Sequence, residues 1–325
     1  MPVSAEPPVL VIKLGAFGDF VQAFGAFQAI RRHHAASRLV LLTVPAYAPL
    51  ARASGLFDHI LENGRPRARK LRSFLTLWQA VRRERFGRVY DLQNSTRSCA
   101  YFHLLWPVGK RPDWSGTARG CSHPHDDPAR MRLHSMDRLR AQLRLAGIGD
   151  MPEPQLDWLN ADIRPFGLPP GFALLAPGSA PRHPAKRWPA ASYAEIARRL
   201  AAAGLTPVVA GSEGEQALGA EITRTCPAAV NLAGRTDDQC QLAGLARRAA
   251  CAIGNDTGPM HLAAALGCPS LVLFSGVSDP DLSCPRGPAV DWLRADPISG
   301  LSPDKVWSRL ASLCGPPSVP GGGVR

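Results

Sequence analysis

Short apolar runs alternate with stretches of helical period along this chain, and that alternation most constrains its fold. Phe172–Ala176 is apolar throughout, as a strand covered on both faces must be. The next stretch, Ala190–Ala203, sets Tyr193, Ile196, Ala197 and Leu200 along one side of a helix. The rhythm continues with strands read at Thr206–Ala210, Ala229–Leu232, Cys251–Gly254 and, last, Ser270–Phe274. Helices are read between them at Glu213–Arg224, Asp237–Arg248 and Thr257–Leu266. The first half repeats the pattern less cleanly. Its strands are read at Val9–Leu14, Leu39–Val44 and Arg88–Leu92, and its helices at Asp19–Arg32, Phe74–Arg85 and Leu133–Ala146. Strands alternating with helices of this length predict an α/β fold with mainly parallel sheets. The proline- and glycine-rich segment 160–171 reads as a linker. The expectation is two doubly wound, Rossmann-like domains, 1–165 and 166–300, facing a cleft. A helix at 301–314 would pack back on the first domain, and 315–325 would be a disordered tail. Segment 107–130 shows no period and reads as a long surface loop.

Charge divides the two halves. Residues 1–165 hold 24 basic and 14 acidic side chains, whereas 166–325 hold 14 and 12. A basic first half suggests an anionic partner: a phosphorylated substrate, a membrane surface or nucleic acid. Arg65, Arg67, Arg69, Lys70, Arg72, Arg82, Arg83, Arg85 and Arg88 cluster around a helix bearing Phe74, Leu75, Leu77, Trp78 and Val81. Such a helix packs inward on its domain or lies on an anionic bilayer. No helix-turn-helix, RNP or zinc signature supports nucleic acid. The eight cysteines include no C-x-x-C and read as free thiols. The absence of a spanning apolar run or a basic, apolar leader predicts a cytoplasmic protein.

Three motifs could carry chemistry. Gly15-Ala16-Phe17-Gly18-Asp19 follows the first strand, where glycines let helix amides approach a ligand. It lacks the G-x-G-x-x-G spacing of a dinucleotide site. Asp19 is either a helix cap or a base. Pro177-Gly178-Ser179 ends another strand, and Lys186-Arg187-Trp188-Pro189 then delivers two cations to the start of a helix. Cations oppose a helix dipole there, as expected where an anion fills the gap. Gly254-Asn255-Asp256-Thr257-Gly258-Pro259-Met260-His261 turns from strand to alanine-rich helix and offers free amides to a diphosphate, with His261 one turn in. The bland alternative is a plain Thr257 or Asp256 cap and a core histidine. No paired carboxylates stand ready for a metal.

In this order and spacing, the three blocks together resemble the lipopolysaccharide heptosyltransferases, glycosyltransferase family nine, of GT-B architecture. Asp91-Leu92-Gln93 and Ser275–Pro280 add to the likeness, which spans about residues 8–312. The resemblance implies an acceptor domain first and a nucleotide-sugar domain second. It implies an inverting transfer from ADP-heptose to an anionic glycolipid, needing neither cofactor nor metal. Asp19 would be the base, and Lys186 would neutralise the departing diphosphate. Ser179, Arg187, Glu215, Asp256, Thr257, Gly258 and His261 would hold the donor. Lys13, Gly18, Gln93 and Arg97 would hold the acceptor. Membrane contact would be peripheral, on the cytoplasmic face of the inner membrane. Members adding the first inner-core heptose read H-T-x-P after the Gly-Asp pair; here the residues are Phe20-Val21-Gln22-Ala23. That departure opens other acceptors: a different core sugar, a secretion-linked polysaccharide or a protein hydroxyl. A donor linked to UDP or GDP, and a non-catalytic nucleotide- or membrane-binding protein, are the alternatives. An oxidoreductase lacks its fingerprint.

Overall fold

The computed structural model describes residues 6–65, 71–106, 109–236 and 238–314. The chain divides into two compact units, Met1–Trp158 and Leu159–Arg325. The first contains a six-stranded sheet of β1 (Val9–Ile12), β2 (Leu39–Leu42), β3 (His59–Leu61), β4 (Arg88–Asp91), β5 (Asp113–Gly116) and β6 (His123–Pro124). Its order is β3-β2-β1-β4-β5-β6, and every pairing is parallel. The second sheet contains β7 (Phe172–Ala176), β8 (Thr206–Val209), β9 (Val230–Asn231), β10 (Cys251–Asn255), β11 (Ser270–Phe274) and β12 (Val290–Arg294). It runs β12-β11-β10-β7-β8-β9, also wholly parallel. Counted from each unit's own first strand, the two orders are the same. In each, strand order reverses between the first and fourth strands, where doubly wound sheets bind ligands beyond the carboxyl ends.

The alternation of β7 shows why both faces are apolar. Phe172, Leu174 and Ala176 pack with Leu245, Met260 and Ala263 on one side. Ala173 and Leu175 pack with Tyr193, Ile196 and Leu200 on the other. In the first unit, Phe20, Phe24 and Phe27 form edge-to-face pairs, and Phe27 reaches Phe57. These rings share the face that their spacing gave them.

Several elements differ from expectation. The first helix begins at Phe17, ends at Gln22, and resumes as Phe24–His33. The supposed loop 107–130 carries β5 and β6, whose Trp114 and Ser115 are buried. These short strands contain glycine, proline and histidine, so no alternation marks them. Ser270–Phe274 is not the last strand, because β12 follows it with only partly buried side chains. Helix Thr96–Leu104 also lacked a sequence signal. The C-terminal helix Pro303–Cys314, expected on the first domain, buries Val306 and Leu310 in the second unit's core. The expected tail 315–325 and the basic residues Arg67, Arg69 and Lys70 lie outside the described residues. All eight cysteines are free thiols. No helix among the described residues is long and apolar enough to cross a membrane.

Candidate functional site

In the second unit, Asn255 organises the carboxyl edge of the sheet. It ends β10 fully buried. Its Nδ2 donates to the carbonyls of Pro177 (2.7 Å) and Gly178 (3.1 Å). Its Oδ1 accepts from the Trp188 amide (3.1 Å) and the Tyr193 hydroxyl (3.0 Å). One side chain therefore ties the turn after β7 to the loop carrying the two cations. An amide can do this because it donates and accepts at once. The sequence reading gave Asn255 no such role; its signal was a polar side chain closing an apolar strand.

Next to it, Asp256 is nearly buried and pairs with Lys186 Nζ at 2.5 Å. His261 Nε2 lies 3.8 Å from its other oxygen. Burial alone would raise the Asp256 carboxyl, but His261 and Lys186 hold it down at about 2. Asp256, two residues before the helix Gly258–Ala265, thus stays ionised and holds Lys186 beside it. That helix has Thr257 at its cap position without a side-chain cap bond. The Thr257 hydroxyl donates instead to the Asn255 carbonyl at 3.2 Å. Pro259 has no amide hydrogen and the Met260 amide donates to the Thr257 carbonyl at 3.1 Å, so the Gly258 amide at the helix start is the one left for another acceptor, the property that makes a helix start an anion seat. The buried His261 Nδ1 has no protein partner.

The other residues expected on the donor side surround the turn after β7. Ser179 is nearly buried; its hydroxyl donates to the His183 carbonyl (2.9 Å) and accepts from Arg187 Nε (3.1 Å). Arg187 also donates to the Ser179 carbonyl at 3.0 Å, so it braces this turn. Glu215 accepts from the Ser212 amide (2.7 Å) and hydroxyl (2.9 Å), completing a capping box. Its carboxylate lies so close to Gly178 that a Cβ there would stand 1.5 Å from Glu215 Oε1. A side chain at 178 would have to displace that carboxylate.

In the first unit, the turn after β1 meets the segment after β4. Gly15 holds φ +113°, and a Cβ there would strike the Tyr47 ring at 2.7 Å. Asp19 is exposed at the third helical position, where it accepts from the Ala16 amide at 3.1 Å rather than standing as the cap itself. Lys13 is nearly buried and donates to the Leu92 carbonyl at 3.0 Å. Burial lowers its affinity for a proton, against the attraction of Asp19 and Asp91. Gln93 Oε1 accepts from the Leu14 amide at 2.7 Å. Lys13, Asp19 and Gln93 line one cavity of about 180 Å³ with Gln22, Arg130 and Arg138. Gln22 Nε2 is buried without a partner, while its oxygen accepts from Ser135 at 2.5 Å. Gly18 lies in the same turn but does not line the cavity, nor does Arg97, which lies beside the Tyr101 hydroxyl. Behind Lys13, burial pushes the Asp91 carboxyl up to about 6. Its Oδ1 accepts from the amides of Gln93 and Asn94, both at 3.1 Å. Of the residues replacing H-T-x-P, Gln22 lines the cavity, and Phe20, Val21 and Ala23 are core. Arg130 and Arg138 were missed because they lay in a stretch where arginine is common. Among the described residues, no cluster of three or more His, Cys, Asp or Glu is placed to hold a metal ion.

Comparison with known proteins places this geometry. The sequence model of Glycosyltransferase family 9 (heptosyltransferase) matches residues 74–298. Lipopolysaccharide heptosyltransferase 2 of Escherichia coli K12 is 41% identical over 234 residues, covering 64% of this chain and 65% of that protein. The aligned part therefore spans just under two thirds of that relative. The structure of E. coli ADP-heptose LPS heptosyltransferase II superposes with a TM-score of 0.78 at 23% identity, covering 94% of this chain and 98% of the other. E. coli heptosyltransferase WaaC with ADP gives 0.73 at 18% identity, covering 94% and 99%. These two structures establish a shared GT-B fold, and the match over most of the sequence establishes more: the chain belongs to glycosyltransferase family 9, the heptosyltransferases.

Proposed function

We propose that this protein transfers a heptose from an ADP-linked donor to a hydroxyl of an anionic, lipid-borne glycan, inverting the anomeric centre. The observation that carries the reading is the uncapped start of the helix Gly258–Ala265, with Lys186 held beside it by ionised Asp256. A nucleoside diphosphate leaving group develops negative charge as the glycosidic bond breaks. Backbone amides and a fixed ammonium stabilise that charge without reorganising at the moment of reaction. His261, whose Nδ1 has no protein partner, is assigned to the same end of the donor. The structure of a relative with ADP supports an adenine nucleotide as the donor's leaving group.

On the acceptor side, Asp19 is the group we assign to proton removal. Its exposed carboxylate lines the cavity with Gln93 and with Lys13, Arg130 and Arg138, cations suited to carboxylates or phosphates on the acceptor. Ser179, Arg187 and Glu215 are assigned to shaping the donor loop, and Asp256, Thr257 and Gly258 to the diphosphate. Gly18 is assigned to the acceptor turn and Arg97 to its rim. A lipid-borne acceptor places the enzyme at a membrane surface, in peripheral contact.

Thermal stabilisation by ADP, UDP and GDP at one concentration tests the donor reading. Selective stabilisation by ADP is the expected result. Preference for UDP or GDP would replace the donor while keeping the reaction class, and no response to any of them would remove it.

A further inference from the structure

The first unit has a second cavity, at the opposite end of its sheet. It encloses about 550 Å³ at the amino ends of β4 and β5. Arg82, Arg85, Lys110 and Arg111 line it together with the buried Phe86 and Trp106. One carboxylate, Asp113, shares the lining and pairs with Arg88 at 3.4 Å. Aromatic rings steady two of the cations. Arg82 stands 5.8 Å from the Trp78 ring centre, and Arg111 stands 4.8 Å from that of Phe102. Such contacts position a guanidinium without cancelling its charge. Arg85 holds φ +48°, a conformation costly for a side chain of its size. Four cations and one carboxylate give the lining a positive net charge, which attracts an anion.

The surroundings indicate what kind of anion. Leu75, Trp78 and Arg82 share a face of the helix Leu71–Arg83 at i, i+3 and i+7. Leu75 is 44% exposed. Leu104, two residues before Trp106, is 52% exposed at the end of the helix Thr96–Leu104. Cations beside outward leucines suit the boundary of a bilayer, where phosphates lie over acyl chains. We propose that this cavity receives the phosphate of an anionic phospholipid and seats the first unit on the membrane. The proposal deepens the membrane contact read above by naming its site. A soluble phosphate ester would meet the same cations but would leave Leu75 and Leu104 in water.

The test is co-sedimentation of the full chain with vesicles of phosphatidylglycerol in phosphatidylcholine, and of phosphatidylcholine alone. Neither contains a glycolipid acceptor, so the outcome does not depend on the transfer reaction. The wild type is expected to bind the anionic vesicles and not the neutral ones. R85Q/K110Q/R111Q should weaken that binding at least tenfold. R119Q/R144Q/R224Q removes three exposed arginines elsewhere and should change it less than twofold. If the first variant folds poorly, K110E, at an exposed loop position, should still weaken binding several-fold while nucleotide-induced stabilisation is unchanged. Equal losses in both triple variants would reduce the effect to net charge and overturn the proposal. Binding of glycerol phosphate to these residues, without vesicle binding, would overturn it in favour of a soluble phosphate ester.

Discussion

Lys186→Met tests the ion pair on which the donor-side geometry rests. An aspartate carboxyl ordinarily titrates near 4, whereas Asp256 is held at about 2. At about 1.4 kcal/mol for each tenfold ratio, the difference amounts to ~2.5 kcal/mol favouring the ionised form in the fold. His261 shares that effect, and burial opposes it. Removal of Lys186 alone is therefore expected to cost about 1–3 kcal/mol near neutral pH, the range in which a buried charge loses one of two partners. Because the native carboxyl is depressed, its contribution is complete above the unfolded value near 4 and disappears as pH falls toward 2. The variant should consequently show a shallower acid limb. Urea unfolding of the wild type, Lys186→Met, Asp256→Asn and the double variant, each from pH 7 down to 3, measures both effects. A coupling of about 1–3 kcal/mol is expected. If the single changes add within ~0.5 kcal/mol, or the acid limb keeps its slope, the pair does not hold Asp256 ionised. ADP affinity should fall about 10- to 100-fold in Lys186→Met if the ammonium also meets the diphosphate.

Asp19→Asn should lower turnover by two or more decades while leaving ADP-induced stabilisation unchanged; equal turnover would remove Asp19 from proton transfer. Asn255→Asp replaces a donor facing two carbonyls with an acceptor, and should destabilise the second unit by about 3 kcal/mol in urea. A stability equal to wild type would show that the two turns hold without it. Asp91→Asn should do the opposite. Its carboxyl is raised to about 6 by burial, so the fold loses stability as pH rises from about 4 through 6, and the neutral amide should recover about 1–3 kcal/mol at pH 7. A variant less stable than wild type at pH 7 would mean that the ionised form is the one the fold needs. Arg138→Gln should raise the acceptor KM at least fivefold with the donor KM unchanged; a shift in the donor KM instead would detach the cavity from the acceptor.

The strands and helices with strong periods were legible in the sequence, and the reasons are physical. β7 is apolar at every position, and β11 at every position after Ser270, because both faces are covered. The helix Ala190–Ala202 buries a stripe on one side only. What could not be read were elements whose stability comes from their neighbours. β5 is Asp-Trp-Ser-Gly, and it is a strand because β4 offers it hydrogen bonds. The break at Ala23 leaves no local trace, since alanine favours helix. Site residues carried by turns after strong strands, such as Asp19, Lys186 and Asp256, stood out. Gln22, Arg138 and Asn255 did not, because their meaning lies in partners far along the chain. Tyr193, for example, lies 62 residues from the Asn255 oxygen to which it donates.

The shared strand order of the two sheets has a consequence for how such a protein can change. Each unit carries its candidate site residues on the connections after its own first and fourth strands: Asp19 and Gln93 after β1 and β4, Ser179 and Asp256 after β7 and β10. The strands beneath share their apolar cores with a few residues of those connections, Leu14 after β1 and Trp188 after β7 among them. Under the proposed function, acceptor preference and donor preference are written on separate connections. Grafting the turn after β1 and the segment after β4 from a relative would amount to exchanging one substrate's fitting while the other's mounting is left in place.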